Sequence, residues 1–432
     1  MQAEVRVERY ADQGRCVAHI DGRVVFVRFA LPGERVVVQL DEPYDRDERF
    51  WTGEVVQILE ASDDRVEPAW RLAGPLSTGG GVGGADLVHV ALPGQIRWKS
   101  AVITDQMRRM GHVDIPDVRV ARLEEDDEER GLHWRTRIEL VADETGHVSM
   151  RRRASHEHVR VSTMPLASRA LLAVADRFDL WNHEYEPGSI IRVAVPEPRD
   201  VHTSRMTYKA LAQEVGGNYA IEVDGHVRSG EKRLKEAVDV DGRRYPFGVD
   251  AGGFWQVHRA APAALLKYVM REVSEALSGT RSAVIWDLFC GSGLFTLPLA
   301  QTFSHSHVYG VEGSRTAVRG AERNLHVVKA DNAQVVQGDV ARVLRNVPDD
   351  FSKPDVVVLD PPRAGAKSGV CRQIADTGAS TVVYIACDST SLARDTATLT
   401  SLGYSLKAIQ GFDIYPMTHH VETVATFVRG RD

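Results

Sequence analysis

Three stretches, "VVVLDPPRAG", "YIACDSTSLARD" and "HHVETVATF", place side chains capable of chemistry where strand-forming residues meet polar turns. The second sets Cys387 between a β-prone run and a helix-like segment, a position that would expose its thiol to whatever binds at that sheet edge. The first ends a strand at Asp360 and stiffens the following loop with Pro361 and Pro362 before Arg363. The third opens a strand with Glu422. One difficult reaction needs a thiol, a carboxylate and a methyl donor together. Carbon 5 of a pyrimidine is a poor nucleophile until something adds to carbon 6. A thiolate can add there, the resulting enolate takes a methyl group, and a base removes the carbon 5 proton so that the thiol leaves. Cys387 is the expected nucleophile and Glu422 the expected base.

The other cysteines read as small packing residues: Cys290 inside a glycine turn, Cys371 in a helix-like segment, Cys16 among the N-terminal strands. None of the four has C-x-x-C or another metal-binding spacing, so no metal site is expected.

A methyl donor has its own signature. "DLFCGSGLF" ends a strand at Asp287 and turns through Gly291 and Gly293, but Thr296 stands where a dinucleotide fingerprint has its third glycine. The next strand ends in Glu312, placed to accept from ribose hydroxyls, and a third ends in Asp339, placed to meet an adenine amino group. Acid, glycine turn, acid, acid at successive strand ends is the order expected for S-adenosylmethionine rather than for NAD.

These residues need a scaffold. From residue 246 to 432 apolar strands alternate with amphipathic segments, which predicts an α/β, doubly wound, Rossmann-like sheet holding ligands at the carboxyl ends of its strands. Residues 1–68 read as short strands broken by D-G and P-G turns, a small antiparallel β-barrel. Residues 69–245 read as a central α+β domain, of which about 89–112, helix-like, would pack on the catalytic domain. Its acidic run "EEDDEE" (124–129) reads as a solvated loop. Arg135, Arg137, Arg151, Arg152 and Arg153 read either as a solvated basic surface or as a surface for RNA backbone.

The 432 residues carry a formal charge of -7, so any nucleic acid must be held by a local patch. The N-terminus lacks a signal-peptide core and no run of about 18 apolar residues occurs. A cytoplasmic protein with no membrane association is expected, and no obligate protein partner is inferred.

The chain resembles the RNA 5-methyluridine (uracil-C5) methyltransferases with an N-terminal TRAM domain, an OB-like barrel. "GRCVAHIDGRVVFVRFALPGERVVV" resembles TRAM, and "FWQVH", "DLFCGSGLFTLPLA", "VEG", "LDPPRAG", "ACDSTSLARD" and "HHVET" occur in family order. The resemblance implies transfer of a methyl group from S-adenosylmethionine to carbon 5 of a uridine in tRNA or rRNA. It gives Gln256, Phe289, Glu312, Asp339 and Asp360 to cofactor or pocket contacts, Cys387 to the nucleophile and Glu422 to the base. TRAM and the central domain would grip RNA while the target base is flipped out. Another S-adenosylmethionine-dependent RNA methyltransferase, or an RNA-binding or chaperone protein with weakened catalysis, are the alternatives.

The chain departs from the family pattern at Asp388 and Ser389, where Asn-Pro commonly follows the nucleophile, and at Leu294 and His258, where Asn is frequent. Many relatives carry four cysteines for an iron-sulfur cluster. Trp70, Val82, Ala85 and Met164 stand in those places, so no cluster is expected.

Overall fold

A computed structural model describes residues 1–41, 49–123, 125–153 and 155–430. Glu124, in the acidic run, lies outside the described residues.

The N-terminal barrel comprises β1 (Gln2–Arg6), β2 (Arg9–Tyr10), β3 (Arg15–Ile20), β4 (Arg23–Arg28), β5 (Arg35–Leu40) and β6 (Phe50–Glu60) in the order β1-β5-β6-β4-β3-β2. Val36, Val38 and Leu40 are buried while their neighbours are not, the period of a half-buried strand. β1 pairs with β5 and β2 with β3, so the bent segment 2–10 closes the sheet on itself. The barrel is not wholly antiparallel. β5 leaves beside β1, and β6 returns parallel to β4.

α1 (Leu92–Arg109) and β7 (Val120–Arg122) follow, then a central sheet of β8 (Arg137–Ala142), β9 (Val148–Arg151), β10 (His158–Arg160), β11 (Ile190–Ala194), β12 (Ala220–Val223) and β13 (His226–Gly230). α2 (Arg169–Arg177) and α3 (Tyr208–Val215) pack together beside it. Barrel and central sheet share one apolar core, from Val25 and Val38 through Trp98 and Trp134 to Leu171 and Ile191.

The hairpin β14 (Arg233–Val240) and β15 (Arg243–Asp250) precedes α4 (Ala261–Ala276). A domain boundary at residue 246 would cut β15 in half. Val238, Phe247 and Val249 are buried with α4 and the catalytic strands, so the hairpin belongs with the C-terminal unit. Asp21-Gly22, Asp224-Gly225 and Asp241-Gly242 all have positive φ at both residues, the two-residue turn that right-twisted hairpins require.

The catalytic sheet contains β16 (Val284–Leu288), β17 (His307–Glu312), β18 (Ala333–Gln337), β19 (Val356–Leu359), β20 (Thr381–Ala386), β21 (Tyr404–Asp413) and β22 (Glu422–Arg429). α5 (Thr296–Thr302), α6 (Arg315–Val327), α7 (Val340–Val343), α8 (Lys367–Thr377) and α9 (Ser389–Ser401) connect them. The order is β18-β17-β16-β19-β20-β22-β21-β7; β16 to β20 are parallel, and β22 runs antiparallel between β20 and β21. β7 adds to β21 from outside this region, and α1 packs on α9 beside it. No helix among the described residues is long and apolar enough to cross a membrane.

Candidate active site

Because β17 and β19 leave β16 in opposite directions, the carboxyl ends of the strands diverge there into a cleft of about 590 Å³. Gln256, Phe289, Gly291, Glu312, Asp339, Asp360, Cys387 and Glu422 all line it. Asp287 and Gly293 do not. Asp287 lies beneath the floor, fully buried, accepting the Thr296 hydroxyl while its Oδ1 has no partner. Gly293 lets α6 approach: a Cβ there would lie 3.4 Å from that of Ala321, at a φ of +88°.

The glycine turn is held by Glu312, whose two oxygens accept the amides of Gly291 at 3.0 Å and Ser314 at 2.7 Å. Each oxygen keeps a second lone pair for a ligand hydroxyl. Asp339 caps α7 through the Arg342 amide at 3.0 Å. Phe289 has a φ of +62°, unusual for a bulky residue and common where a backbone is bent around a ligand. Gln256 is buried with Oε1 unpartnered. An acid-lined glycine turn with open acceptors suits a nucleoside-bearing ligand.

At the other end, register sets the reactive pair. Ala386 pairs with Thr423 in antiparallel β20 and β22, so one step further Cys387 stands opposite Glu422. Glu422 is buried with Oε1 unpartnered, and burial followed by the charge of Asp360 holds its carboxyl well above the usual range. Burial, then Asp287 and Glu312, push Asp360 up to about 7. Burial, then Glu422 and Asp360, push the Cys387 thiol up to about 12, against which Arg363 acts. These influences favour the protonated thiol at neutral pH. The Asp388 side chain caps α9, accepting the Ser391 amide at 2.7 Å, and is the weakest of the acidic influences on the thiol. The remaining cysteines are buried.

Other residues around the cleft carried little sequence signal. Phe254, 70% exposed, stands at its mouth, and Tyr415 lines it beside Glu422. An aromatic before Gln256 was the only hint of Phe254.

Within the acidic run Glu125, Asp127 and Glu128 are exposed in a turn, as a solvated loop requires, but two other members are taken up by the fold. Asp126 is fully buried against His258 at 3.0 Å and Arg259 at 3.2 Å, and Glu129 pairs with Arg169. Nor are most of the arginines free. Arg137 donates to the carbonyls of Ala251 and Gly253, and Arg153 binds Glu54 and lies over Phe29. Arg152 pairs with Glu157, Arg135 packs over Trp134, and Arg151 is exposed. Trp70, Val82, Ala85 and Met164 are all buried in one apolar cluster. Among the described residues no group of three or more His, Cys, Asp or Glu is arranged to hold a metal.

The family model of the tRNA (uracil-5-)-methyltransferases matches residues 223–429, and that of the TRAM domain matches residues 2–56. An RNA methyltransferase of Bifidobacterium longum is 60% identical over 430 residues, spanning 99% of this chain and 97% of its own. One from Streptomyces avermitilis is 34% identical, spanning 98% and 97%. Among solved structures, the tRNA (uracil-54, C5)-methyltransferase of Pyrococcus abyssi, in complex with S-adenosyl-L-homocysteine, shares the fold. The TM-score is 0.67 at 19% identity, over 99% of this chain and 100% of that one.

Proposed function

We propose that this chain, which belongs to the tRNA (uracil-5-)-methyltransferase family and is an S-adenosylmethionine-dependent RNA methyltransferase, methylates carbon 5 of one uridine in structured RNA through a covalent adduct with Cys387. The observation that carries the covalent reading is the placement of Cys387 opposite Glu422 at one end of a cleft whose other end is an acid-lined glycine turn.

In this reading Glu312 accepts from ribose hydroxyls, Asp339 from the adenine amino group, and Gly291 lets the backbone come close. Asp287 supports the turn from below, and Gly293 gives it room. S-adenosylmethionine supplies an electrophilic methyl group to the cleft. The chain supplies the rest: Cys387 adds to carbon 6 of the flipped base, Gln256 and Asp360 flank that base, and Glu422 removes the carbon 5 proton. The TRAM barrel and central sheet hold RNA near the cleft mouth, where Phe254 is exposed.

Mapping 5-methyluridine separately in tRNA and rRNA, from cells with and without the gene, tests the reaction and names the substrate. One site should disappear without the gene and return with the wild-type chain but not with Cys387→Ala. Unchanged 5-methyluridine in both fractions would overturn the proposal.

A further inference from the structure

Each turnover replaces a proton on carbon 5 by a methyl group and leaves that proton on the base, which must lose it before the next cycle. Resting on the covalent reading above, we infer that Tyr415, His420 and His419 conduct this proton from Glu422 to the partly exposed Asp86.

Glu422 is 2% exposed, and a flipped base and a methyl donor would together fill the open side of its cleft. Tyr415 lines the same cleft and is only half-buried. Its main chain is pinned: its carbonyl accepts from the Lys99 ammonium and from the Thr418 hydroxyl, both at 2.9 Å. No described residue holds its hydroxyl. The His420 ring stands edge-on to Tyr415 with centroids 5.9 Å apart, and the His419 ring lies 4.0 Å from that of His420. His419 Nδ1 is 2.8 Å from Asp86 Oδ2. The side chains of His419 and Asp86 are 19% and 24% exposed, so the path runs outward.

The chemistry of the ring suits conduction. Burial, then His419, hold His420 down to about 4, while Asp86 acts in the opposite sense and Arg363 and Lys99 with the first two. A neutral imidazole accepts at one nitrogen and donates from the other; an imidazolium cannot accept. The groups that act on Tyr415 are Glu422, Cys387, Asp360 and Arg135.

The step balances as follows. Cys387, which loses its thiol proton to water as donor and base enter, adds to carbon 6 as the thiolate. After methyl transfer carbon 5 gives its proton to the Glu422 carboxylate; the C–H pair becomes the carbon 5–carbon 6 double bond, and the carbon 6–sulfur bond breaks with its pair leaving on Cys387. The thiolate regains a proton from water as the product departs. Glu422 passes the proton to the Tyr415 oxygen as the phenol's own proton moves to His420. His420 releases one from its other nitrogen to His419, and thence it reaches Asp86 and water.

The test uses the full chain, S-adenosylmethionine, and an in-vitro transcript of the RNA that the deletion experiment identifies, made with uridine or with 5-fluorouridine. Tyr415→Phe removes one oxygen and preserves packing. With 5-fluorouridine no carbon 5 proton reaches Glu422, and the thiol proton goes to water, so Tyr415→Phe and His420→Ala should form the Cys387 adduct at the wild-type rate. On uridine their steady-state turnover should fall at least tenfold, and added imidazole should restore turnover of His420→Ala. Equal slowing of adduct formation and turnover would make these residues positioning groups and overturn the relay; unchanged turnover would overturn it too. Failure of the wild-type chain to form any adduct would instead remove the covalent reading on which the relay rests.

Discussion

Asp126 and His258 meet at 3.0 Å with both side chains fully buried. The pair joins the acidic run to the end of "FWQVH", the stretch that carries Phe254 and Gln256 to the cleft. Asp126 also accepts from Arg259, and the His258 ring stacks on Trp134 with centroids 5.7 Å apart. His258 is thus matched by a carboxylate far away in sequence.

Replacing Asp126 by Ala should leave His258 buried without its carboxylate and Arg259 with only the His133 carbonyl and Glu125. A loss of about 3 to 5 kcal/mol is expected, as when one partner of a buried pair is removed. Asp126→Asn, which keeps an acceptor oxygen, should lose less. Urea unfolding of the three proteins measures the difference; equal midpoints for wild type and Asp126→Ala would show the contact carries no stability.

Glu312→Ala should weaken binding of S-adenosylmethionine by about 1 to 3 kcal/mol, because buried ribose hydroxyls would lose their acceptor. The amides of Gly291 and Ser314 lose it as well, so Glu312→Gln is the gentler comparison. Calorimetric titration reads the result. Unchanged affinity in Glu312→Ala would remove this residue from the donor site.

Much of this site was legible because a parallel sheet brings strand ends together whatever joins them. A strand-end acid in "VVVLDPPR" or "HVYGVEG" is placed by the β-α rhythm alone. Pairings between distant segments have no local signal. Nothing near Asp126 names His258 as its partner, and nothing near Arg137 shows that its guanidinium is taken by the carbonyls of Ala251 and Gly253. The boundary near residue 246 failed for the opposite reason. Asp241-Gly242 is a strong local turn signal, but the packing that assigns β15 to the catalytic core is tertiary.

Trp70, Val82, Ala85 and Met164 are buried together in one apolar cluster, so the segment depends on packing. Trp70→Ala should cost about 3 to 5 kcal/mol, the usual range for losing a buried aromatic. Anaerobically purified wild-type protein should hold no stoichiometric iron or acid-labile sulfide. Stoichiometric iron and sulfide, or a Trp70→Ala variant as stable as wild type, would contradict this account.

Asp287 and Asp360 are both pushed up to about 7, chiefly by burial. Below about pH 4 the folded and unfolded chains both keep these protons, and neither group affects stability. Between about pH 4 and 7 the unfolded chain releases them while the folded chain holds them, so the ligand-free protein should lose stability as pH rises through that window. A positively charged sulfonium in the cleft would favour the ionised carboxylates. Binding of S-adenosylmethionine near pH 6.5 should therefore release protons, and S-adenosylhomocysteine, without that charge, should release fewer. Calorimetry in two buffers of different ionisation enthalpy counts them; equal release by both ligands would refute the electrostatic account.

Cys387 and Glu422 face each other across β20 and β22, and after burial it is the charge of Glu422 that most raises the cost of ionising the thiol. On the covalent reading proposed above, the thiol would lose its proton only when donor and base are in place. Given RNA carrying 5-fluorouridine at the target, the enzyme should add through Cys387, accept the methyl group on carbon 5 and stall, since no proton remains there for Glu422 to take. Cys387→Ala should form no adduct on either RNA. Glu422→Gln should accumulate a covalent complex even on ordinary RNA, because its amide cannot remove the proton that permits sulfur to leave. Gel shift under denaturing conditions and mass spectrometry of the joined peptide identify the adduct. Normal turnover by Cys387→Ala would return the thiol to a packing role, and the addition mechanism would fall with it.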